Sequence, residues 1–504
     1  MLTGLDQARA ALAAGRAGVI WQRQIADTDT PIAAALKLMQ QGRGDWLLES
    51  VEGGETRGRY SLIGLDPDLL FEVRGADARI NRNWRNEAEA FAPSDQPALA
   101  ALRALVTECR FEVPADLPKA LAVLVGFFAY ETTGLVEKLP RAANPGLGLP
   151  DMVFVRPGVV LIFDRLADEL FLVAPVWPDR ERDAETIIAA AAERIEATAA
   201  RLAGPVPAHA RAAALPDLTS ITPTPHTDPA RYAAMVGAAK DYIVAGDIFQ
   251  VVLSQRFSAP FPLPPLDLYR ALRRINPSPF LYFLGLPGFS LIGSSPEILV
   301  RVRDGEITIR PIAGTRPRGS TAAEDIANRD SLLADPKERA EHLMLLDLGR
   351  NDVGRAASGG SVTVTDSYTV EFYSHVMHIV SNVVGQLAPD KDAIDALFAG
   401  FPAGTVSGAP KVRACEIIAD LESDARGPYA GGVGYFSPDG NMDSCIVLRT
   451  AILKDGVMHV QAGAGIVADS DPAYEQRECE AKASALFAAA REAVRLAGEA
   501  GYGQ

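Results

Sequence analysis

A proline-dense stretch at 204–229 is the feature that most limits how this chain of 504 residues can fold. It holds Pro205, Pro207, Pro216, Pro223, Pro225 and Pro229 among Ser and Thr. Each proline fixes φ and removes a backbone donor, so a linker is expected rather than a regular element. That predicts an N-terminal half at 1–203 and a C-terminal half at 230–504, either as separate bodies or around one shared core. An Ala/Glu/Arg-rich helix over roughly 179–202 leads into the linker. In the first half, alternating segments at 46–48, 60–65 and 153–163 read as strands among Ala-rich helices. The second half looks similar, with strands expected at 281–286, 290–293, 298–302, 307–311, 376–384 and 445–453. Asp335-Pro336 and Asp471-Pro472 each open a helix there, an N-cap acid followed by proline at the first helical position. No βαβ alternation with a glycine fingerprint is present, and no short-period repeat stands out.

Lys+Arg 49 against Asp+Glu 64 gives a net charge of −15. A chain this acidic lacks the basic face that nucleic acid or an anionic membrane needs, so neither is expected as a partner. A few Arg or Lys, or a divalent cation, can still reverse the field locally for an anionic substrate. The longest apolar run, 121–130, is far short of the roughly 20 residues that span a bilayer. Asp6, Arg9 and Arg16 interrupt any apolar leader. Cys109, Cys415, Cys445 and Cys479 show no CxxC or zinc spacing and read as reduced packing thiols. A soluble, cytoplasmic protein is expected.

Glu475, Glu478 and Lys482 fall at i, i+3 and i+7, hence on one helix face. Alone, that is an ordinary surface ladder. The loop expected before it, Gln461-Ala-Gly-Ala-Gly-Ile-Val467, lacks side-chain bulk and lets backbone N–H groups approach a ligand. Face and loop together suit a carboxylate with a hard cation. Glu341 shares the other helix with Leu345 and Leu348, where a carboxylate is costly unless paired or metal-bound. An ion pair with arginine and a Mg²⁺ site built from two carboxylates are the two readings. The segment from Pro402 to Lys411 fails as a P-loop, having no Gly before the Lys and no Ser or Thr after it. Pro410 at a first helical position would still leave N–H groups open to an anion. A serine elbow, a zinc helix and a glutaminase-type cysteine elbow are all missing.

Ile312-Ala-Gly-Thr-Arg-Pro-Arg-Gly319, Glu341-His-Leu-Met-Leu-Leu-Asp-Leu-Gly-Arg-Asn-Asp352, Ser407-Gly-Ala-Pro-Lys411, Tyr429-Ala-Gly-Gly-Val-Gly-Tyr435 and Gln461-Ala-Gly-Ala-Gly465 follow in order. Together they resemble the chorismate-utilising enzymes, most closely the anthranilate synthase component I branch, over nearly the whole C-terminal half. Leu47-Leu-Glu-Ser50 extends the resemblance into the first half. It implies an α+β fold, two antiparallel sheets packed as a sandwich with helices outside, the two halves interwoven. It implies Mg²⁺ held by Glu341 and Glu478, and a substrate cradle of Gly314, Thr315, Tyr429, Arg449, Gly463, Ala464, Gly465 and Lys482. Glu297, His378 and Thr405 would be catalytic, with Glu297 as general acid on the departing C4 hydroxyl and His378 acting in elimination and aromatisation.

Water-adding relatives carry Lys where this chain has Gln250, and aminodeoxychorismate synthases usually carry Lys where it has Ala313. Both differences point to the anthranilate branch. The implied reaction joins chorismate and ammonia into 2-amino-2-deoxyisochorismate, which loses pyruvate to give anthranilate. With no glutaminase motif, ammonia would come from a separate glutamine amidotransferase subunit, in a heterotetramer. Ser50 with Pro279, Phe280 and Leu281 would bind L-tryptophan as feedback inhibitor, although the family often reads Pro-Tyr-Met there. The rival readings are aminodeoxychorismate synthase component I and a catalytically inactive chorismate or tryptophan sensor.

Overall fold

The computed structural model describes residues 1–52, 56–207, 221–373 and 376–499, so 208–220 of the expected linker, Pro216 included, lies outside the described residues. The N-terminal half runs α1 (Leu5–Ala13), β1 (Gly18–Ile25), α2 (Pro31–Leu38), β2 (Asp45–Glu49), β3 (Tyr60–Leu65), β4 (Leu69–Arg74), β5 (Asp77–Asn81) and α3 (Ala98–Glu108). Strands β6 (Leu124–Phe128), β7 (Met152–Arg156), β8 (Val159–Asp164) and β9 (Glu169–Val176) follow, then α4 (Ala184–Leu202).

The C-terminal half opens with α5 (Pro229–Val244), β10 (Gln250–Pro260), α6 (Pro265–Ile275), β11 (Phe280–Leu286), β12 (Phe289–Ser295), β13 (Ile298–Arg303) and β14 (Glu306–Ile309). An excursion comes next: β15 (Ile312–Pro317), α7 (Ala322–Ala334), α8 (Pro336–Gly354), β16 (Thr363–Phe372) and β17 (Val376–Gln386). The half ends with α9 (Ala393–Gly400), α10 (Lys411–Leu421), β18 (Gly432–Phe436), β19 (Met442–Ile446), β20 (Thr450–Lys454), β21 (Val457–Ile466) and α11 (Pro472–Ala497).

The strands form two antiparallel sheets. Sheet I has the order β1-β9-β8-β3-β2-β11-β12-β20-β21-β10, and sheet II the order β5-β4-β7-β6-β18-β19-β13-β14-β17-β15, with β16 beside β17. Each sheet is therefore built from both halves, sheet I with five of these strands from each and sheet II with four from 1–203 and seven from the later chain. Phe127 of sheet II meets Phe289 of sheet I edge to face at 5.8 Å, and both belong to one continuous core. Helices lie outside, α4 against β9 and α11 against β21 on one side, α8 against β15 and β17 on the other. The result is the expected sandwich, with the halves interwoven.

Reading outward from the central pairs reveals an internal twofold. Sheet I gives β2, β3, β8, β9, β1 in one direction and β11, β12, β20, β21, β10 in the other. Sheet II gives β6, β7, β4, β5 against β18, β19, β13, β14. Leu47 pairs with Phe283 at the centre of sheet I, with Trp46↔Leu284 and Leu48↔Tyr282 to either side. Gly126 pairs with Gly434 at the centre of sheet II. Trp46 pairs with Gly64, and Tyr282, its counterpart, pairs with Gly293. Each aromatic ring lies over its glycine so closely that no Cβ fits there. The excursion over 312–386 has no counterpart in the first half.

The structure corrects several expectations. The single strand expected over 153–163 is two, because Pro157-Gly158 breaks the ladder and carries the chain from β7 in sheet II to β8 in sheet I. The strand expected over 445–453 is likewise β19 and β20 in different sheets, with Arg449 at φ 48° between them. The segment after Gln461 is not a loop but the end of β21. Helix α4 starts at Ala184, five residues later than expected, because Asp183 caps it by accepting from Thr186 N–H. Pro410 is the N-cap of α10 rather than its first residue. Within the expected linker, Thr224–Pro225 pairs with β10. All four cysteines are buried and free. Among the described residues no helix is long and apolar enough to cross a membrane.

Candidate active site

Two sheet-to-sheet crossings create the centre of the site. Ser295-Pro296-Glu297 carries β12 into β13, and Arg449 carries β19 into β20. Ile446 N–H donates to the Glu297 carbonyl and Ser294 N–H to the Arg449 carbonyl, each at 3.1 Å, so the crossings are stitched side by side. The Glu297 carboxylate accepts from Thr405 Oγ1 at 2.9 Å. Burial pushes its carboxyl above the usual range, while Thr405, Arg449 and Lys482 pull it back. Burial also draws the Arg449 guanidinium below its ordinary value, against the charges of Glu297 and Glu478.

Strand β21 runs on past its neighbour. Its pairing with β20 ends at Val460, so Gly463-Ala464-Gly465 pair only with β10 and leave one backbone edge open. A Cβ at position 463 would lie 2.7 Å from the Tyr429 hydroxyl and 2.9 Å from the Leu253 carbonyl oxygen, so glycine is what admits the phenol to this edge. Gln250 packs against Gly465, its Oε1 buried without a partner. Lys482 closes the cradle, pairing with Glu478 at 2.6 Å and donating to the Gly463 carbonyl at 2.9 Å.

The excursion supplies the third wall. Gly314 sits at φ 75°, at a register shift between Ala313 and Thr315 of β15. Opposite Thr315 on β17 is His378, whose Nδ1 lies 3.0 Å from the Gly314 carbonyl and 3.1 Å from Thr315 Oγ1. A carbonyl only accepts, so Nδ1 carries the proton and Nε2 is left as an acceptor. Burial holds the imidazole below its ordinary pKa, which keeps it neutral at pH 7. On α8, Glu338 accepts from Arg316 at 2.9 Å. Lys337 reaches Asp469 at 3.1 Å, tying the first turn of α8 to the turn before α11. Glu341 and Glu478, on these two helices, lie near enough for the charge of one to act on the other. Burial, the Glu338 charge and the more distant Glu478 charge raise the Glu341 carboxyl above its usual range. Glu341, which among the described residues meets no direct cationic partner, and Glu478, shared with Lys482, are hard oxygen donors that fit a divalent cation. Among the described residues no three acidic, His or Cys side chains converge on one point, so substrate or water would complete its shell.

The residues expected to be catalytic, to cradle substrate or to hold metal are thus brought into one neighbourhood by hydrogen bonds and charge interactions. The tryptophan candidates do not join it. Ser50 follows β2 directly, and Glu49 pairs with Leu281, so Ser50, Pro279, Phe280 and Leu281 lie together at the twofold junction of sheet I. Sequence reasoning missed the supports. Arg426 pairs with Glu422 at 2.7 Å and lies over the Tyr429 ring at 5.6 Å; its i, i+4 spacing with Glu422 was the only available signal. Tyr373, 5.4 Å from the His378 ring, left no signal at all. His342, beside Glu341 in sequence, turns instead into the core and bonds Ser381 Oγ at 2.6 Å.

A family model described as chorismate binding enzyme matches residues 51–488. The anthranilate synthase component 1 of Cereibacter sphaeroides is 51% identical over 493 residues, covering 97% of this chain and 98% of that one. Its counterpart from Pseudomonas aeruginosa is 47% identical, covering 92% and 94%. Among solved structures, anthranilate synthase component I from Streptococcus pneumoniae superposes with a TM-score of 0.74 at 36% identity, covering 92% of this chain and 99% of that one. The menaquinone-specific isochorismate synthase from Escherichia coli, at 20% identity and a TM-score of 0.70 over 97% and 99%, shares the fold. With motifs, architecture and coverage in agreement, this chain belongs to the chorismate binding enzyme family.

Proposed function

We propose that the chain is the aminating component of an anthranilate synthase, converting chorismate and ammonia into anthranilate, pyruvate and water. The observation that carries this choice within the family is the neutral amide of Gln250 against Gly465, with Ala313 preceding Gly314 on β15. Neither side chain is a base for water or a nucleophile toward the ring, which leaves ammonia as the attacking group. Glu297, its carboxyl raised by burial, donates a proton to the departing C4 hydroxyl, and Thr405 orients it. Neutral His378 takes the ring proton on Nε2 as pyruvate leaves and the ring aromatises. Arg449, Lys482 and the open edge at Gly463-Ala464-Gly465 hold the carboxylates. Glu341 and Glu478 would hold Mg²⁺, which when bound supplies positive charge for a substrate carboxylate.

Ammonia would come from a separate glutamine amidotransferase subunit, in the cytoplasm. L-tryptophan would inhibit from the sheet I junction. Hydrogen bonds give that junction a route to the cleft: Ser278 Oγ donates to the Ser295 carbonyl, Ser294 Oγ to that of Asn276, and Ser294 N–H to that of Arg449. A coupling of about 1–3 kcal/mol would suffice.

The test is product analysis of the purified chain with chorismate and Mg²⁺. Anthranilate from ammonium salts but not from glutamine is expected; isochorismate or an aminodeoxychorismate as product contradicts the reading. A tryptophan titration of wild type and Ser50→Phe checks the regulatory part, which predicts inhibition of the first alone.

A further inference from the structure

The duplication gives the N-terminal half its own counterpart of the catalytic cleft. From β9 into α4 the chain matches β21 into α11 without a gap, and both helices are capped by an aspartate, Asp183 and Asp471, that accepts from the third residue on. In that register Arg194 stands where Lys482 stands, Ala190 where Glu478, Ile187 where Glu475, and Pro175 and Trp177 where Gly463 and Gly465. At the β3–β4 crossing, Asp66-Pro67-Asp68 takes the place of Ser295-Pro296-Glu297. Asp68, Pro175, Trp177, Ile187, Ala190 and Arg194 all line one cleft of about 1640 Å³.

Its chemistry is reversed. The carboxylates of α11 are replaced by Ile187 and Ala190, the excursion that carries Glu341 is missing, and Asp68 is neutralised by two bonds of 2.9 Å from Arg156. Basic residues lining the cleft outnumber acidic ones nine to six, in a chain of net charge −15. Several are engaged, Arg82 by Glu108 and Arg85 by Asp66. Arg110, Arg180 and Arg194 are different: among the described residues no acid or hydrogen-bond acceptor meets their guanidinium groups, and Arg194 Nε is buried without a partner. Burial and the nearby Arg85 draw the Arg194 guanidinium down to about 10, so it stays charged at neutral pH. A partly buried cation without a counter-ion is costly, and the guanidinium fork matches an oxyanion. Beside it stands an apolar wall. The Trp177 indole packs edge-on to Phe111 at 6.0 Å and under the Arg156 guanidinium at 4.5 Å.

We propose that the N-terminal cleft is a second, metal-independent ligand site for a small ring-bearing carboxylate, its anionic group on Arg194 and its ring against the Trp177 wall. Pro175 and Trp177 stand where Gly463 and Gly465 admit Tyr429 and Gln250, and the carboxylates of α11 and the excursion have no counterpart here, so such a ligand is held but not turned over. The test is calorimetry of the full chain in EDTA with anthranilate as probe and inorganic phosphate as comparison. Saturable anthranilate binding is expected, weakened about tenfold or more by Arg194→Ala and less than twofold by Lys482→Ala, which removes the equivalent cation of the catalytic cleft. Arg194→Met keeps the aliphatic stem and is measured alongside, with thermal melts confirming that both variants fold. No binding by wild type at millimolar anthranilate, binding as tight as wild type in both Arg194 variants, or equally strong binding of phosphate overturns the proposal.

Discussion

The cleft of the C-terminal half and its counterpart in the N-terminal half are bounded by equivalent strands, equivalent sheet crossings and equivalently capped helices. They differ in what the shared frame carries. The C-terminal cleft carries the carboxylates Glu297, Glu341 and Glu478, with glycines on its open strand edge and a third wall made by the 312–386 excursion. The N-terminal cleft is basic, with Pro175 and Trp177 on the matching edge and no excursion. Backbone pairing at Leu47↔Phe283 and Gly126↔Gly434 sets the frame, while the insertion and a few side chains decide whether it does chemistry.

The comparison breaks most visibly at the carboxylates. Glu341→Gln and Glu478→Gln should each lower kcat/KM by about 100-fold or more, because each removes one hard anionic oxygen from a cation that keeps few protein ligands. Steady-state kinetics at saturating Mg²⁺ measure this, and near-normal turnover would make the pair structural.

Acid should separate the halves next. Residues 1–203 contain no histidine. In the excursion, burial lowers His342 to about 4 from its ordinary 6.5. Between those values the unfolded chain binds the extra proton, so this stability is present above pH 6.5 and is lost as pH falls toward 4. The loss is up to about 3 kcal/mol. Hydrogen exchange across that range should show α8 and β17 opening before β1–β9, and His342→Phe should flatten the difference.

The twofold itself can be tested with matched changes. Gly64→Ala and Gly293→Ala would drive a Cβ into the rings of Trp46 and Tyr282. Each should cost about 2–3 kcal/mol in denaturant unfolding, and a large inequality would mean that the two junction strands are not equivalent. The smallest effect is expected at the exposed Lys337–Asp469 pair, where Lys337→Ala should change stability by about 0.5 kcal/mol or less.

Local chemistry was the part of this design written openly in the sequence. Asp335-Pro336 and Asp471-Pro472 mark their helices because a cap is a short-range bond, and the five ordered motifs mark the cleft. The crossings at Pro157-Gly158 and Arg449 were hidden because a strand that changes sheets keeps its apolar pattern on both sides. The Glu297–Thr405 bond joins positions 108 apart and has no local signature. The duplication was hidden too, since equivalent strands keep their pairing but not their residues, and an insertion separates them. Arg194 looks like any surface arginine of an Ala-rich helix until the fold sets it beside Trp177 in a cleft.

The central claim is that one half holds the chemistry and the other only its frame. Anthranilate fluorescence and pyruvate release from chorismate, ammonium and Mg²⁺ at alkaline pH, followed side by side for wild type, Lys482→Ala and Arg194→Ala, test it most directly. The account predicts equal amounts of the two products from wild type, a rate within twofold of it for Arg194→Ala, and a loss of about 10-fold or more for Lys482→Ala. No anthranilate from wild type, or equal losses in the two variants, would contradict it.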